Sequence, residues 1–155
     1  MTETQRAALA EDPKEFMKKC FYHELRIKEK QELIQHYREI AESITAEIKE
    51  VTTFSLTPSN KIEKCALEIV SIEEDIEKEI AYLKADRRLV QEAINLLSDT
   101  EEGNQKYLLE ARYLRSAKWE DIMEALDISY RWTLRLHGIA LQKISEQAAL
   151  VTLET

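Results

Sequence analysis

The stretch Trp119–Ile144, WEDIMEALDISYRWTLRLHGIALQKI, decides how this chain is read. Trp119, Ile122 and Leu126 stand three and four residues apart, so they share one face of a short helix. Asp127 and Ile128 interrupt it, and Ser129 is a suitable N-cap for a second helix. In that helix Thr133, Leu136, Ala140, Leu141 and Ile144 form one face, while Tyr130, Arg131, Leu134, Arg135 and Gln142 point elsewhere. A short helix, a tight turn and a capped second helix predict a helix-turn-helix. In that motif one face holds the helices together and the other is open to a major groove.

The open face carries the functional expectation. Between Ser129 and Ile144 lie Arg131, Arg135 and Lys143 and no acid. Arg131 and Arg135 are one turn apart near the helix N-terminus, the part of a recognition helix that meets base edges. The planar fork of arginine can span guanine O6 and N7, and Tyr130 and His137 are candidates for further phosphate or base contacts.

With 155 residues, the chain has room for one ordinary domain or two small ones. Only two glycines and two prolines occur, which argues against turn-rich β architecture and for an all-α chain. The apolar share of 44% argues against wholesale disorder. A net charge of −8 argues at first against nucleic acid, but the charges are uneven. Residues 1–103 hold 15 Lys and Arg against 23 Asp and Glu, whereas residues 104–145 hold 7 against 5. The small basic excess coincides with the expected reading head. Cys20 and Cys65 fall on apolar stripes and are expected as buried, reduced thiols. No signal peptide and no apolar run of membrane-spanning length is visible, so a cytoplasmic protein without a membrane partner is expected.

Residues 1–11 read as polar and frayed. Asp12-Pro13-Lys14-Glu15 reads as a helix start, with Asp12 as cap, Pro13 in the first turn and Glu15 completing a capping box. From there one seam runs Phe16, Cys20, His23, Ile27, Lys30, Ile34, Tyr37, Ala41, Ile44, Ile48, Val51, with Leu33 and Ile40 widening it. It predicts a single helix of roughly 38 residues, about 57 Å long. Residues 53–60, TFSLTPSN, break the pattern at Pro58, and Asn60 is the expected cap of the next helix. Its seam is Ile62, Cys65, Ile69, Ile72, Ile76, Ile80, Leu83, Arg87, Val90, Ile94, Leu97, with two consecutive steps of four at Ile72–Ile76–Ile80 that read as a stutter. Two long helices with a short connection predict an antiparallel hairpin over 12–98, an oligomerisation body that leaves a homodimer open. Residues 98–104 read as a hinge containing Gly103. Residues 104–146 then read as a trihelical head, with Tyr107, Leu108, Ala111 and Leu114 on the apolar face of its first helix and Arg112 and Arg115 on the basic one.

The segment LLEARYLRSAKWEDIMEALDISYRWTLRLHGIALQKI, residues 108–144, resembles region 4 of bacterial sigma factors. The shared pattern falls on Arg112, Tyr113, Leu114, Trp119, Ile122, Leu126, Ile128, Ser129, Arg135, Leu136, His137, Ala140, Leu141, Lys143 and Ile144. The whole chain is similar to phage and prophage late-gene transcription regulators of Gram-positive bacteria, of the ArpU/RinA type. The resemblance implies a DNA-binding regulator, probed at Ser129, Tyr130, Arg131, Leu134, Arg135 and His137, with Arg115 and Lys118 beside them. It departs from the family pattern at Tyr130, where Arg is frequent, at Thr133, where a β-branched aliphatic is usual, at Met123, where a small residue is usual, at Asp127, where glycine is common, and at Lys118, where a Ser or Thr cap is typical. Residues 1–103 lack a basic helix with exposed aromatics of the kind that melts a promoter, so an activator is expected rather than a complete sigma factor.

The expected partners are double-stranded DNA, host RNA polymerase as a second candidate, and a second copy through the hairpin. Two alternatives stand beside this reading. One is an adaptor that binds polymerase through the hairpin without DNA, and the other is a packaging protein similar to a phage small terminase subunit. The three histidines, at 23, 36 and 137, are scattered, and the acids at 73–79 read as a solvated face, so no metal or other cofactor is expected. Without a nucleophile–base arrangement or a glycine-rich phosphate loop, no enzyme is expected either.

Overall fold

The computed structural model describes residues 1–50 and 57–153. The chain is all-helical: α1 (Glu3–Glu11), α2 (Pro13–Met17), α3 (Lys19–Glu50), α4 (Thr57–Ile94), α5 (Gly103–Leu109) continued by a π-helical turn (Glu110–Leu114), α6 (Trp119–Leu126) and α7 (Tyr130–Leu153). The two long helices α3 and α4 pack together as the expected hairpin. Two compact units result, one made of Met1–Tyr22 with Leu83–Thr155, the other of His23–Tyr82. This division falls elsewhere than the expected 12–98 and 104–146, because the first unit takes in both chain ends and the last turns of α4.

Within the His23–Tyr82 unit the α3 seam behaves as its spacing predicts. Ile34 is buried, and Ile27, Tyr37, Ala41 and Ile44 are half-buried. Ile48 and Val51 lie outside the residues whose side chains are described, as do residues 53–56 of the break expected at 53–60; its residues 57–60, Pro58 included, are already helical. Leu33 does not widen the seam; it stands exposed. On α4, Cys65 and Ile72 are buried and Ile62, Ile69 and Ile76 half-buried. The expected stutter is corrected here. Ile80 is exposed, and Glu79 takes the inward position, which restores the steps of three and four from Ile76 to Leu83. A carboxylate can occupy that place because basic side chains surround it. His23 Nδ1 lies 2.7 Å, Arg26 Nε 3.2 Å and Lys30 Nζ 3.9 Å from its oxygens. The hydrogen bond from His23, and then Arg26, holds the Glu79 carboxyl below its usual range. Asn60 is not the cap of α4: the helix already includes Thr57 and Pro58, and proline is tolerated in a first turn because its missing N–H has no intrahelical partner there.

The other unit corrects the reading of the N-terminus. Residues 3–11 are ordered as α1. Thr2 Oγ1 accepts from the Gln5 N–H at 3.2 Å and Gln5 Oε1 accepts from the Thr2 N–H at 2.8 Å, a complete capping box. Leu9 is fully buried, and Ser145 Oγ donates to the Ala10 carbonyl at 2.6 Å, so α1 lies along α7. At Asp12 half of the expected box forms: its carboxylate accepts from the Glu15 N–H at 3.0 Å, but its own N–H goes to the Ala8 carbonyl. The predicted continuous helix is divided at Lys18, where α2 ends, and α3 runs 32 residues.

The core of this unit gathers Leu9 of α1, Met17 of α2, Ile94 of α4, Leu108 and Leu109 of α5, Ile122 of α6 and Ile144 of α7. Gly103 opens α5 rather than lying in the hinge. Tyr107 leaves the expected apolar face and is exposed, while Leu108, Ala111 and Leu114 are buried. The π turn sends the Arg115 N–H to the Glu110 carbonyl, five residues back. Two arginines satisfy carbonyls at its end and in the loop after it: Arg87 Nη1 donates to Leu114 O at 2.6 Å and Arg112 Nη1 to Ala117 O at 3.0 Å. Cys20 and Cys65 are both buried, as expected.

Candidate nucleic-acid interface

The interface is built on the turn between α6 and α7. Asp127 closes α6 in the left-handed region at φ 52°, and its N–H reaches back to the Met123 and Glu124 carbonyls. Aspartate tolerates this conformation better than most residues, which is why glycine is dispensable here. Ser129 then caps α7: its Oγ accepts from the Trp132 N–H at 3.2 Å. The buried Thr133 hydroxyl donates to the Ser129 carbonyl at 2.8 Å, so this polar group on the packing face is satisfied within its own helix. Thr133, Leu136, Ala140, Leu141 and Ile144 are all buried, the whole of the expected packing face.

The opposite face stands in solvent. Ser129, Tyr130, Arg131, Leu134 and Arg135 are exposed on one end of α7. Arg131 makes no ion pair among the described residues. Arg135 lies with its guanidinium carbon 5.7 Å from the Trp132 ring centre, which restricts the side chain without neutralising it. Lys118, at the N-cap position of α6, is exposed and offers no side-chain cap. Arg115 is exposed and stacks over Tyr107 at 5.2 Å.

Two expected contributors are removed. His137 does not face outward but is buried, with Nε2 2.7 Å from the Tyr113 hydroxyl. Its ring lies 5.8 Å from that of Tyr113 and 5.2 Å from that of Trp119. Burial first, then the charges of Lys14 and Arg112, lowers its pKa to about 4, and burial pushes the Tyr113 hydroxyl up to about 12. At neutral pH the Tyr113 hydroxyl therefore donates and the neutral imidazole accepts. The second is Lys143, whose Nζ lies 2.8 Å from Glu102 and whose charge is spent inside the unit. Glu102 also accepts from the Ser98 N–H at 2.6 Å, and these bonds, Lys143 first, hold its carboxyl below the usual range. Trp119 is half-buried and packs against the core, with the Arg112 guanidinium 4.3 Å over its face.

Compared with protein-family models, curated proteins and solved structures, the chain matches none. Among the described residues no cluster of His, Cys, Asp and Glu could hold a metal ion, and no helix is long and apolar enough to cross a membrane.

Proposed function

We propose that the chain is a DNA-binding transcription regulator, an activator of phage late genes, that sets the N-terminal half of α7 into a major groove. The observation that supports this most is the pair Arg131 and Arg135, exposed one turn apart at the Ser129-capped end of a helix whose other face is buried. Two guanidinium forks so placed match adjacent guanine edges, and Tyr130, Arg115 and Lys118 supply flanking phosphate contacts. Few phosphates are neutralised in this way, so the salt dependence is shallow. The test is binding of the full chain to duplexes from a promoter-rich phage region across a salt titration. Arg131→Ala/Arg135→Ala is expected to lower site-selective affinity by roughly thirtyfold or more, from about 1–3 kcal/mol for each of the two bidentate base contacts. Unchanged selectivity in that variant would sink the reading. If hairpins pair two copies, footprints should fall on half-sites about 10 bp apart or a multiple.

A second reading is favoured by a different observation. Tyr130, Trp132 and Leu134 are 53%, 45% and 39% exposed on the same end of α7, an aromatic and apolar group suited to a protein partner. An adaptor on RNA polymerase that docks through α7, rather than through the hairpin, would use these residues. Its signature is polymerase capture lost in Trp132→Ala and retained in Arg131→Ala/Arg135→Ala.

A further inference from the structure

Next to the proposed reading face, α2, the first turn of α3, the π turn, α6 and α7 enclose a cleft of about 450 Å³, a size suited to a small molecule. Three of its lining side chains are cations, Lys14, Lys18 and Arg112, and none is an acid. That is an unusual local balance in a chain with 30 Asp and Glu against 22 Lys and Arg. Among the described residues no ion pair neutralises any of the three. Arg112 is held rigidly, its guanidinium stacked 4.3 Å over Trp119 and bonded to the Ala117 carbonyl, so its charge is presented at little further entropic cost. The cleft is not only electrostatic. Phe21 is 51% exposed and Leu134 39% exposed, one from α3 and one from α7, and both line it. The buried pair His137 and Tyr113 lines it as well, neutral and mutually hydrogen-bonded.

We infer that this cleft binds a small anion bearing a planar ring, of mononucleotide size. The phosphate dianion meets Lys14, Lys18 and Arg112, and the ring lies against Phe21 and Leu134. A duplex phosphate alone would use the cations and leave the apolar wall in water; a ligand with a ring uses both.

The experiment is calorimetric titration of the full chain with 5′-AMP, adenosine and inorganic phosphate, with the His137 ring followed by NMR. Saturable AMP binding is expected, with adenosine and phosphate each about tenfold weaker or more, and a shift of the His137 resonances on AMP addition. Lys14→Gln/Lys18→Gln should weaken AMP by about tenfold or more, and Phe21→Ala should weaken AMP but leave phosphate unchanged. Arg131→Ala/Arg135→Ala should leave AMP binding intact, which separates this site from the proposed DNA face. No saturable AMP binding at about 1 mM overturns the inference. So does AMP binding that is indifferent to Lys14→Gln/Lys18→Gln. Loss of duplex affinity in that variant without any AMP binding overturns it too, and assigns the cations to the DNA backbone.

Discussion

The two compact units of this chain use apolar residues differently. In the Met1–Tyr22 and Leu83–Thr155 unit, seven helices and a π turn contribute to one core whose members, such as Leu9, Met17, Ile94 and Ile144, are fully buried. In the His23–Tyr82 unit, two helices meet along one stripe where only Ile34, Cys65 and Ile72 fall under a tenth exposed among the described residues. A two-helix stripe has solvent on both flanks, so most of its isoleucines stay half-buried. The polar groups follow the same division. The thick core holds a neutral pair, Tyr113 and His137, whereas the thin seam holds an ionic cluster around Glu79. Ion pairs survive where water can still reach them; neutral hydrogen bonds are what a drier site tolerates.

The difference predicts its largest effect in core truncation. Leu9→Ala removes a fully buried side chain between α1 and α7 and should cost about 2–5 kcal/mol in urea unfolding. Ile72→Ala in the hairpin, where the neighbouring helix can close up or water can enter, should cost less than half as much. Equal costs would show that the hairpin stripe is packed as tightly as the core, and the comparison would fail.

Acid should distinguish the units next. His137 has a folded pKa of about 4 against an ordinary 6.5, so the unfolded chain binds the extra proton first. Stability is therefore full above about 6.5 and declines toward pH 4, by on the order of 2 kcal/mol. His137→Gln should flatten that window. Glu79 has the opposite sense in a different window. Its folded pKa is lowered, so its contribution is present above the ordinary 4.5 and is lost as pH falls below it. Glu79→Gln should cost roughly 0.5–1 kcal/mol at neutral pH, in keeping with a partly solvated pair, and nothing at pH 2. Thermal melts of both variants between pH 2 and 7.5 check the two windows. A pH slope of the wild type between 6.5 and 4.5 that His137→Gln leaves unchanged would mean that another group carries it.

Much of this was legible in the residues. The packing face of α7, the αL turn at Asp127, the Ser129 cap and the i−4 bond of Thr133 all follow from local spacing and turn chemistry, which depend on near neighbours only. What the spacing missed depends on residues far along the chain. Leu9 is isolated in an alanine-rich, polar stretch, and only α7 supplies its partners; the Thr2-x-x-Gln5 box was the available sign that α1 is a helix. His137 sits next to the buried stripe of α7, and its polar side chain suggests solvent until Tyr113, 24 residues earlier, is placed against it. Glu79 is one residue before Ile80, and hydropathy alone favours the isoleucine; the three basic side chains of α3 that contact it reverse that choice. The cleft of Lys14, Lys18 and Phe21 had no sequence signature, since it joins residues more than 100 positions apart from Leu134.

The smallest expected effect is at the turn, and it tests whether local geometry in the head is as decisive as its core. Asp127 stands at φ 52°, where an L-residue bears a left-handed cost of about 1–2 kcal/mol that glycine avoids. Glycine in turn brings more entropy to the unfolded chain, about 0.5–1 kcal/mol, so the two terms nearly cancel. Asp127→Gly should change stability by no more than about 0.5 kcal/mol in either direction. Asp127→Val keeps the left-handed demand and adds β-branching, so it should lose about 1–2 kcal/mol in the same denaturation assay. If Asp127→Val cost as much as Leu9→Ala, the α6–α7 turn and not the buried cluster would be the limiting element of the unit. A valine with no effect would mean instead that the turn relaxes to another conformation, and α7 would then hold its exposed arginines less rigidly than the Asp127 and Ser129 geometry implies.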